Sequence, residues 1–295
     1  MKTANILMMG NKIRKIHELD TLASTRDIVF YNGNYYFTSA DKLIILSENL
    51  ATESLSISNP TEQPIANSGF RAIDKFGTDI VFVTNRGPQW TLGCNLYSYD
   101  PALSEWTQRF NWGSSTNLIT DLFSSTKLSA AFGAGIRVFD SVYSQVSLGG
   151  GYHNNKRVCE NSDITYMCPI PYARIAGTWT LLDEALTFRD VKTDGTDVLY
   201  FNSTSVYKVD GSTLVNLHDI NVGTISYVYY ASTRNKFYFV DGNKTLWEYS
   251  KTDGIKYIYR FPADKGSSNC WFTENSNNEL ILHSRGTVSE LFIIK

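Results

Sequence analysis

A hairpin pattern at residues 235–249 constrains the fold most strongly, because variants of it recur along the chain. Residues 236–240 (Lys-Phe-Tyr-Phe-Val) and 245–249 (Thr-Leu-Trp-Glu-Tyr) flank a polar segment, Asp241 to Lys244. Aromatic and β-branched runs suit a pleated, half-buried surface. An Asp-Gly pair can supply the positive φ angles of a tight hairpin turn. The segment is therefore predicted to be two antiparallel strands joined at Asp241-Gly242.

The repeats share a short strand of alternating apolar and polar residues, a polar turn, and a second strand with consecutive apolar residues. The second strands begin at residues 35, 79, 127, 197, 236 and 279, so copies lie 39 to 48 residues apart except for one interval of 70. A repeat of about 40–50 residues with four strands per unit is typical of a β-propeller. We predict an all-β fold in a single propeller domain over residues 1–295.

The long interval contains an irregular segment, residues 149–185, which is rich in glycine, cysteine and proline. Three short strands are predicted there, at 163–167, 173–176 and 178–182. The interval exceeds one repeat by about 25 residues, enough for a compact extra blade. We predict seven blades, with six blades and an insertion at this point as the alternative. This segment is also where we expect a partner contact.

The two ends of the chain are predicted to close the ring. The last repeat, residues 270–295, runs out before a fourth strand. Residues 1–26 contain two short apolar-polar runs, Asn5–Met9 and Lys12–Leu19, and one of them is predicted to supply the missing outer strand. The alternative is a short helix in the second run, where apolar residues also fall at helical spacing.

Composition limits the partners. Apolar residues make up 42% and charged residues 19% of the chain, which indicates a globular protein. A net charge of −2 gives no reason to expect direct nucleic-acid binding or attachment to an anionic membrane. The sequence shows no signal peptide and no apolar stretch long enough to span a bilayer. We expect a cytoplasmic protein, or one that is made in a host cytoplasm and carried in a larger assembly.

Cysteine spacing argues against metal or redox chemistry. The four cysteines are too far apart for a CxxC motif and are predicted to be free thiols. Asp-Gly pairs are predicted to be turns, because no loop repeats oxygen ligands as a calcium site requires. The cysteines are Cys94, Cys159, Cys168 and Cys270, and the pairs begin at Asp194, Asp210, Asp241 and Asp253.

Residues able to support catalysis are present without a supporting motif. Propeller glycosidases need paired carboxylates, yet the Ser-x-Asp-x-Gly-x-x-Trp boxes of sialidase blades are absent. The acids are predicted to bind turn amides or to face water, and the four histidines lack metal-ligand spacing. We predict no catalytic, cofactor-binding or metal-binding residue. The acids considered are Asp74, Asp79, Asp163, Asp183, Glu184 and Glu274, and the histidines are His17, His153, His218 and His283.

One segment resembles a known blade family. Residues 95–107 (Asn-Leu-Tyr-Ser-Tyr-Asp-Pro-Ala-Leu-Ser-Glu-Trp-Thr) resemble the outer half of a kelch-type blade, with its Tyr-Asp-Pro turn and following Trp, although the double glycine of kelch blades is missing. The resemblance implies architecture and no particular function. In such a unit Tyr97 and Tyr99 share one face of a strand, and Trp106 packs between blades.

A second resemblance concerns the composition and the irregular repeats of the whole chain. Irregular blades rich in Asn, Ser, Thr and Tyr, without a signal peptide, look like the propeller proteins of bacteriophage tails and head-to-tail nozzles. This resemblance implies a non-enzymatic structural or docking protein of a virion, with other virion proteins as partners and a homo-oligomeric ring as one arrangement. The alternatives are a soluble glycan- or peptide-binding propeller and, less favoured, a glycoside hydrolase.

Overall fold

Strands form where apolar and polar residues alternate, and the strands richest in apolar residues occupy the buried middle positions of each sheet. The computed structural model describes residues 13–19, 26–38, 42–49, 52–56, 69–85, 94–111, 119–132, 135–149, 157–262, 269–286 and 289–295. These residues form 28 strands in seven four-stranded antiparallel sheets. No helix in this part of the chain is long and apolar enough to cross a membrane.

The strands are grouped here by blade. Strand β1 is Ile13–Leu19 and belongs to blade 7. Blade 1 contains β2 (Arg26–Tyr31), β3 (Asn34–Thr38), β4 (Lys42–Ser47) and β5 (Thr52–Ser56); blade 2 contains β6 (Gly69–Phe76), β7 (Asp79–Asn85), β8 (Cys94–Asp100) and β9 (Glu105–Asn111). Blade 3 contains β10 (Ile119–Ser124), β11 (Leu128–Phe132), β12 (Gly135–Phe139) and β13 (Gln145–Gly149); blade 4 contains β14 (Arg157–Asn161), β15 (Ile164–Cys168), β16 (Tyr172–Ile175) and β17 (Thr178–Leu181).

Three blades complete the series. Blade 5 contains β18 (Asp190–Thr193), β19 (Val198–Phe201), β20 (Ser205–Asp210) and β21 (Thr213–Asp219). Blade 6 contains β22 (Ile225–Ala231), β23 (Lys236–Asp241), β24 (Thr245–Ser250) and β25 (Gly254–Arg260); blade 7 contains β26 (Cys270–Glu274), β27 (Leu280–Arg285) and β28 (Ser289–Ile294). Middle strands such as β19 are buried on both faces by neighbouring blades, whereas the outer strand β21 alternates between exposed and half-buried positions.

The innermost strands form a closed ring. Strands β2, β6, β10, β14, β18, β22 and β26 each contact the next, and β26 returns to β2. The seven-blade prediction is confirmed, and the six-blade alternative is wrong because residues 157–181 form a complete blade. Sequence reasoning predicted three strands in that region and missed β14, whose residues (Arg-Val-Cys-Glu-Asn) include only two apolar positions.

The outer strand of the last blade comes from the other end of the chain. Strand β1 pairs antiparallel with β28, with Ile13 opposite Ile294. Ile13 is buried in the cluster between blades 6 and 7, and the ammonium of Lys15 lies 2.8 Å from Glu290 Oε1. The predicted closing strand is confirmed and the helix alternative is wrong. The other candidate run, Asn5–Met9, lies outside the described residues.

The aromatic residues of the segment 95–107 pack within the core. Tyr97 stacks on Phe82 with ring centroids 5.7 Å apart, and Trp106 lies 4.7 Å from Tyr99. Trp106 packs against the cluster that blades 1 and 2 share. Three cysteines, Cys159, Cys168 and Cys270, are free thiols as predicted. The side chain of Cys94 and residues 150–153 are not among the described parts of the structure.

The hairpin turn at Asp241 differs in detail from the prediction. The positive φ angle belongs to Lys244 (59°) and not to Gly242. The Asp241 carboxylate accepts hydrogen bonds from the backbone N–H groups of Asn243 and Thr245, and the Gly242 N–H donates to Thr224 O at 2.8 Å. The buried carboxylate therefore shapes this turn.

The closing strand generates a prediction about stability. Ile13→Ala should lower the free energy of unfolding by about 2–4 kcal/mol, because it leaves a cavity in the cluster between blades 6 and 7. Arg14→Ala, at the exposed neighbouring position, should change it by less than about 0.5 kcal/mol. Urea denaturation followed by tryptophan fluorescence measures both. Equal, small effects would show that β1 does not seal blade 7.

Candidate functional site

The central channel is the candidate site, because the innermost strands carry an unusual set of buried charges. β-Bulges place two of them: the register of β2 shifts between Arg26 and Ile28, and that of β10 shifts between Ile119 and Asp121. Asp27 sits in the first shift with φ at 48°, in the left-handed region. Bulges re-aim side chains at the rims of sheets and beside functional sites.

Buried aspartates bind the backbone of the neighbouring blade. Asp27 Oδ2 accepts a hydrogen bond from the N–H of Ile73 in blade 2 at 3.3 Å, and its Oδ1 accepts one from Ile28 at 2.9 Å. In blade 5, Asp190 Oδ2 accepts from Val228 of blade 6 at 2.6 Å. Each carboxylate therefore joins two sheets that share no backbone ladder.

The same arrangement recurs with variations. Asp74 accepts from the N–H of Ser124 in blade 3 at 2.8 Å, and Asp121 accepts from Val158 in blade 4 at 3.1 Å. At the closing boundary, Thr273 Oγ1 of blade 7 takes this role and accepts from Phe30 of blade 1 at 3.1 Å. Glu274 of blade 7 likewise accepts from the N–H of Ser232 in blade 6 at 3.0 Å. Within the described residues, side chains therefore bridge six of the seven blade boundaries in this way.

Arg157 crosses the channel. Its guanidinium lies 3.3 Å from Asp121 Oδ1 in blade 3 and donates to the carbonyl oxygen of Ser226 in blade 6 at 3.0 Å. The guanidinium also lies over the ring of Tyr227, 5.6 Å from its centroid. Because blades 4 and 6 are not neighbours, these contacts brace the ring across its centre.

Lys192 supplies the second cation and is buried, whereas the side chain of Arg157 is half-buried. Its ammonium lies 3.7 Å from Asp190 Oδ1 and 4.6 Å from the centroid of Tyr227. Burial lowers the pKa of Lys192, but the charges of Asp190 and Asp121 outweigh that effect and the pKa is raised. The lysine is therefore charged at neutral pH. We call Asp27, Asp74, Asp121, Arg157, Asp190, Lys192 and Tyr227 the channel girdle.

Two girdle carboxyls hold protons unusually well. Burial raises the pKa of Asp27 to about 7, against hydrogen bonds from Ile28 and Ile73 that lower it. Burial raises the pKa of Asp74 to about 6, although the amides of Lys75 and Ser124 bind its charged form. Desolvation disfavours a carboxylate that has no close cation.

This geometry suits bracing and proton binding. The girdle oxygens accept hydrogen bonds from backbone amides, and its two cations face carboxylates and one aromatic ring. Among the described residues, no group of three or more histidine, cysteine, aspartate or glutamate side chains is placed to hold a metal ion.

The acids that sequence reasoning singled out are dispersed around the ring. Asp79 lies against Arg109 and Tyr143, Asp163 pairs with Lys127, and Asp183 accepts from Ala185 and Leu186. Glu274 accepts from the N–H of Ser232, and Glu184 is exposed. Of the six, Asp74 alone belongs to the girdle.

The histidines also take separate places. His283 is buried in contact with Phe37 and Trp271, and burial lowers its pKa to about 3. It is a core residue. His218 Nδ1 lies 2.9 Å from the hydroxyl of Tyr249, His17 lies on β1, and His153 is outside the described residues.

Sequence reasoning missed three girdle aspartates, although a signal was present. Asp27, Asp121 and Asp190 each stand immediately before an aliphatic residue in the first strand of a blade, as Asp-Ile, Asp-Leu and Asp-Val. A recurring acid at one position of a repeat indicates a shared role even without a motif.

Comparison with known proteins supports the architecture. No protein-family profile and no curated protein matches the sequence. Among solved structures 956 chains match, so the fold by itself does not select a function. One is a chain of the structure described as "Crystal Structure of Mitotic Checkpoint Complex", with a TM-score of 0.70, 9% identity, and coverage of 96% of this chain and 91% of that chain. The protein is a seven-blade β-propeller.

The brace across the channel can be tested directly. Arg157→Ala leaves the buried carboxylate of Asp121 without its cation and should lower the free energy of unfolding by about 3–5 kcal/mol. Arg189→Ala, which removes an exposed guanidinium, should stay within about 0.5 kcal/mol of the wild type. Guanidinium denaturation measures both variants. If the two behave alike, Arg157 does not brace the ring.

Proposed function

We propose that the protein is a non-enzymatic structural or docking module of a large assembly, most concretely a bacteriophage virion protein of the tail or head-to-tail region. The observation that carries the proposal is the girdle. Arg157 braces blade 4 against blades 3 and 6, and carboxylates tie neighbouring blades. A ring braced in this way is a rigid platform whose faces and rim are free to bind partners.

Dispersal of the acids supports a non-enzymatic role. Glycoside hydrolysis needs two carboxyl groups about 5–10 Å apart on either side of a bound sugar. The candidate acids lie in blades 2, 4 and 7 and in the connection after blade 4, each with different neighbours. The girdle carboxylates in turn bind backbone amides of adjacent blades.

The packing of aromatic rings disfavours the glycan-binding alternative. Trp106 packs on Tyr99 and Phe82, and Trp271 stacks on His283 with ring centroids 5.4 Å apart. Rings engaged in this way offer no free face for a sugar. Tyr257, on the outer strand β25, differs from these rings because it is 53% exposed.

Blade 4 is our choice for the partner contact. Its strands are four or five residues long, and its outer hairpin exposes Ile175 and Leu181 on the rim. Apolar side chains on a short outer hairpin can enter an interface without disturbing the core. The similar solved chain comes from a structure described as a complex, which is consistent with protein partners.

The virion assignment rests on the composition and irregularity of the blades, and it predicts how the protein sediments. In a density gradient of native source material, mass spectrometry should find the chain with particles of megadalton size after a salt wash. Recovery of the chain near its own mass of 33.3 kDa would overturn the virion proposal and favour a soluble cytoplasmic binding module.

Substitutions on the blade 4 hairpin test the docking surface. Ile175→Asp with Leu181→Asp should abolish co-sedimentation with the particles, because two charges would enter a desolvated contact. Val215→Asp, on the outer strand of blade 5, is the matched control and should leave it intact. Circular dichroism should show unchanged folding in both proteins. Loss of binding in the control alone would move the contact to blade 5.

A further inference from the structure

The girdle contains more carboxylates than cations. Four aspartates, Asp27, Asp74, Asp121 and Asp190, stand against Arg157 and Lys192. Arg157 lies against Asp121 and Lys192 against Asp190. The hydrogen bonds to Asp27 come from backbone amides of blades 1 and 2, and Asp74 is bound in the same way by amides of blades 2 and 3.

Among the side chains that the structure describes, none forms an ion pair with Asp27 that would offset its charge. Across the channel it faces Asp121 and Tyr227, and Asp74 lies on the adjacent strand; the two acids disfavour its charged form. Lys75 of β6 lies over the ring of Tyr31. The other described titratable groups on the strands packed against β2 are Tyr35 and Tyr36 of β3, Cys270 and Glu274 of β26, and Arg285 and the buried, neutral His283 of β27.

Asp74 has a mixed environment. Lys192 acts on it from across the channel and favours the charged form. Tyr227 and Tyr229 of β22 face it as neutral phenols, since the pKa of each is raised by burial. Asp121 on β10, Asp27 on β2 and Asp79 on β7 are the acids on neighbouring strands. Burial therefore decides the protonation of Asp74 despite one distant cation.

We propose that Asp27 and Asp74 form a proton-binding site that makes closure of the propeller depend on pH, with blades 1, 2 and 3 held more tightly in mildly acidic than in alkaline solution. Protonation removes a negative charge, buried at Asp27 and half-buried at Asp74, at each of the two boundaries that these side chains bridge. The carbonyl oxygen of a protonated carboxyl still accepts a hydrogen bond, so the contact to the next blade survives.

The sign of the pH dependence follows from the raised pKa values. An unfolded aspartate has a pKa near 3.8, so the stabilisation from Asp27 and Asp74 is complete below that pH. It is lost as the pH rises through about 6 for Asp74 and about 7 for Asp27. Asp194, Asp197 and Glu248 have lowered pKa values and lose stabilisation in more acidic solution. Burial also raises the pKa values of Asp190 and Glu160, so the difference between the wild type and each variant from pH 5 to 8 is what isolates Asp27 and Asp74.

The test is urea denaturation of the wild type and variants between pH 5 and pH 8. For each proton that the folded protein binds and the unfolded chain does not, the unfolding equilibrium constant increases by up to about tenfold for each unit that the pH rises. Asp27→Asn and Asp74→Asn should each weaken this pH dependence of the unfolding constant by up to about tenfold per pH unit. Asp163→Asn is the control, because Asp163 is exposed, pairs with Lys127 and has a lowered pKa. An unchanged slope in both girdle variants overturns the proposal.

A second measurement needs no variant and covers the case in which a girdle substitution prevents folding. Carbon-13 NMR of the aspartate carboxyl groups in the wild-type protein follows each titration directly. Two carboxyls should titrate near neutral pH, at about 6 and about 7. If every aspartate carboxyl titrates below pH 5, the site does not bind protons as proposed. Neither experiment depends on the docking function.

Discussion

The inner edge of each blade imposes the constraint on which the structure depends. Every sheet ends at an innermost strand whose inward edge has no backbone partner, and buried N–H groups without acceptors are costly. Asp27, Asp74, Asp121 and Asp190 meet part of this need by accepting from amides of the next blade. Blade-to-blade order is thus specified by polar contacts as well as by apolar packing.

Meeting that need with carboxylates brings charge into the channel. Arg157 and Lys192 balance part of it, and Tyr227 offers its ring to both cations. A buried ion pair contributes little net stability compared with apolar packing, but loss of one member is expensive. The girdle therefore braces the ring and fixes which blades face each other across the channel.

Periodicity predicted the architecture because each blade repeats a local signal. Consecutive apolar residues marked the buried second strands, and an incomplete last repeat pointed to a strand near Ile13. The girdle was not predicted, because a bulge changes which side of a strand a residue faces. Asp27 reads as a polar residue at a strand end, and its burial depends on the bulge at that position.

Blade 4 shows a second limit of periodicity. Its short strands and the polar sequence of β14 conceal a complete sheet inside an apparent insertion. Packing against Ala131, Val138 and other residues of blade 3 provides the apolar surface that β14 lacks by itself. Tertiary context therefore decides what this segment forms.

Amide hydrogen exchange, compared between the isolated protein and its native assembly, tests most directly the claim that the ring is a preformed docking platform. The account predicts that the amides of Ile73, Val158 and Val228 are already strongly protected in the isolated protein. Assembly should add protection mainly at residues 172–181. Weak protection of the innermost strands that appears only upon assembly would contradict the account, because the partners would then close the ring.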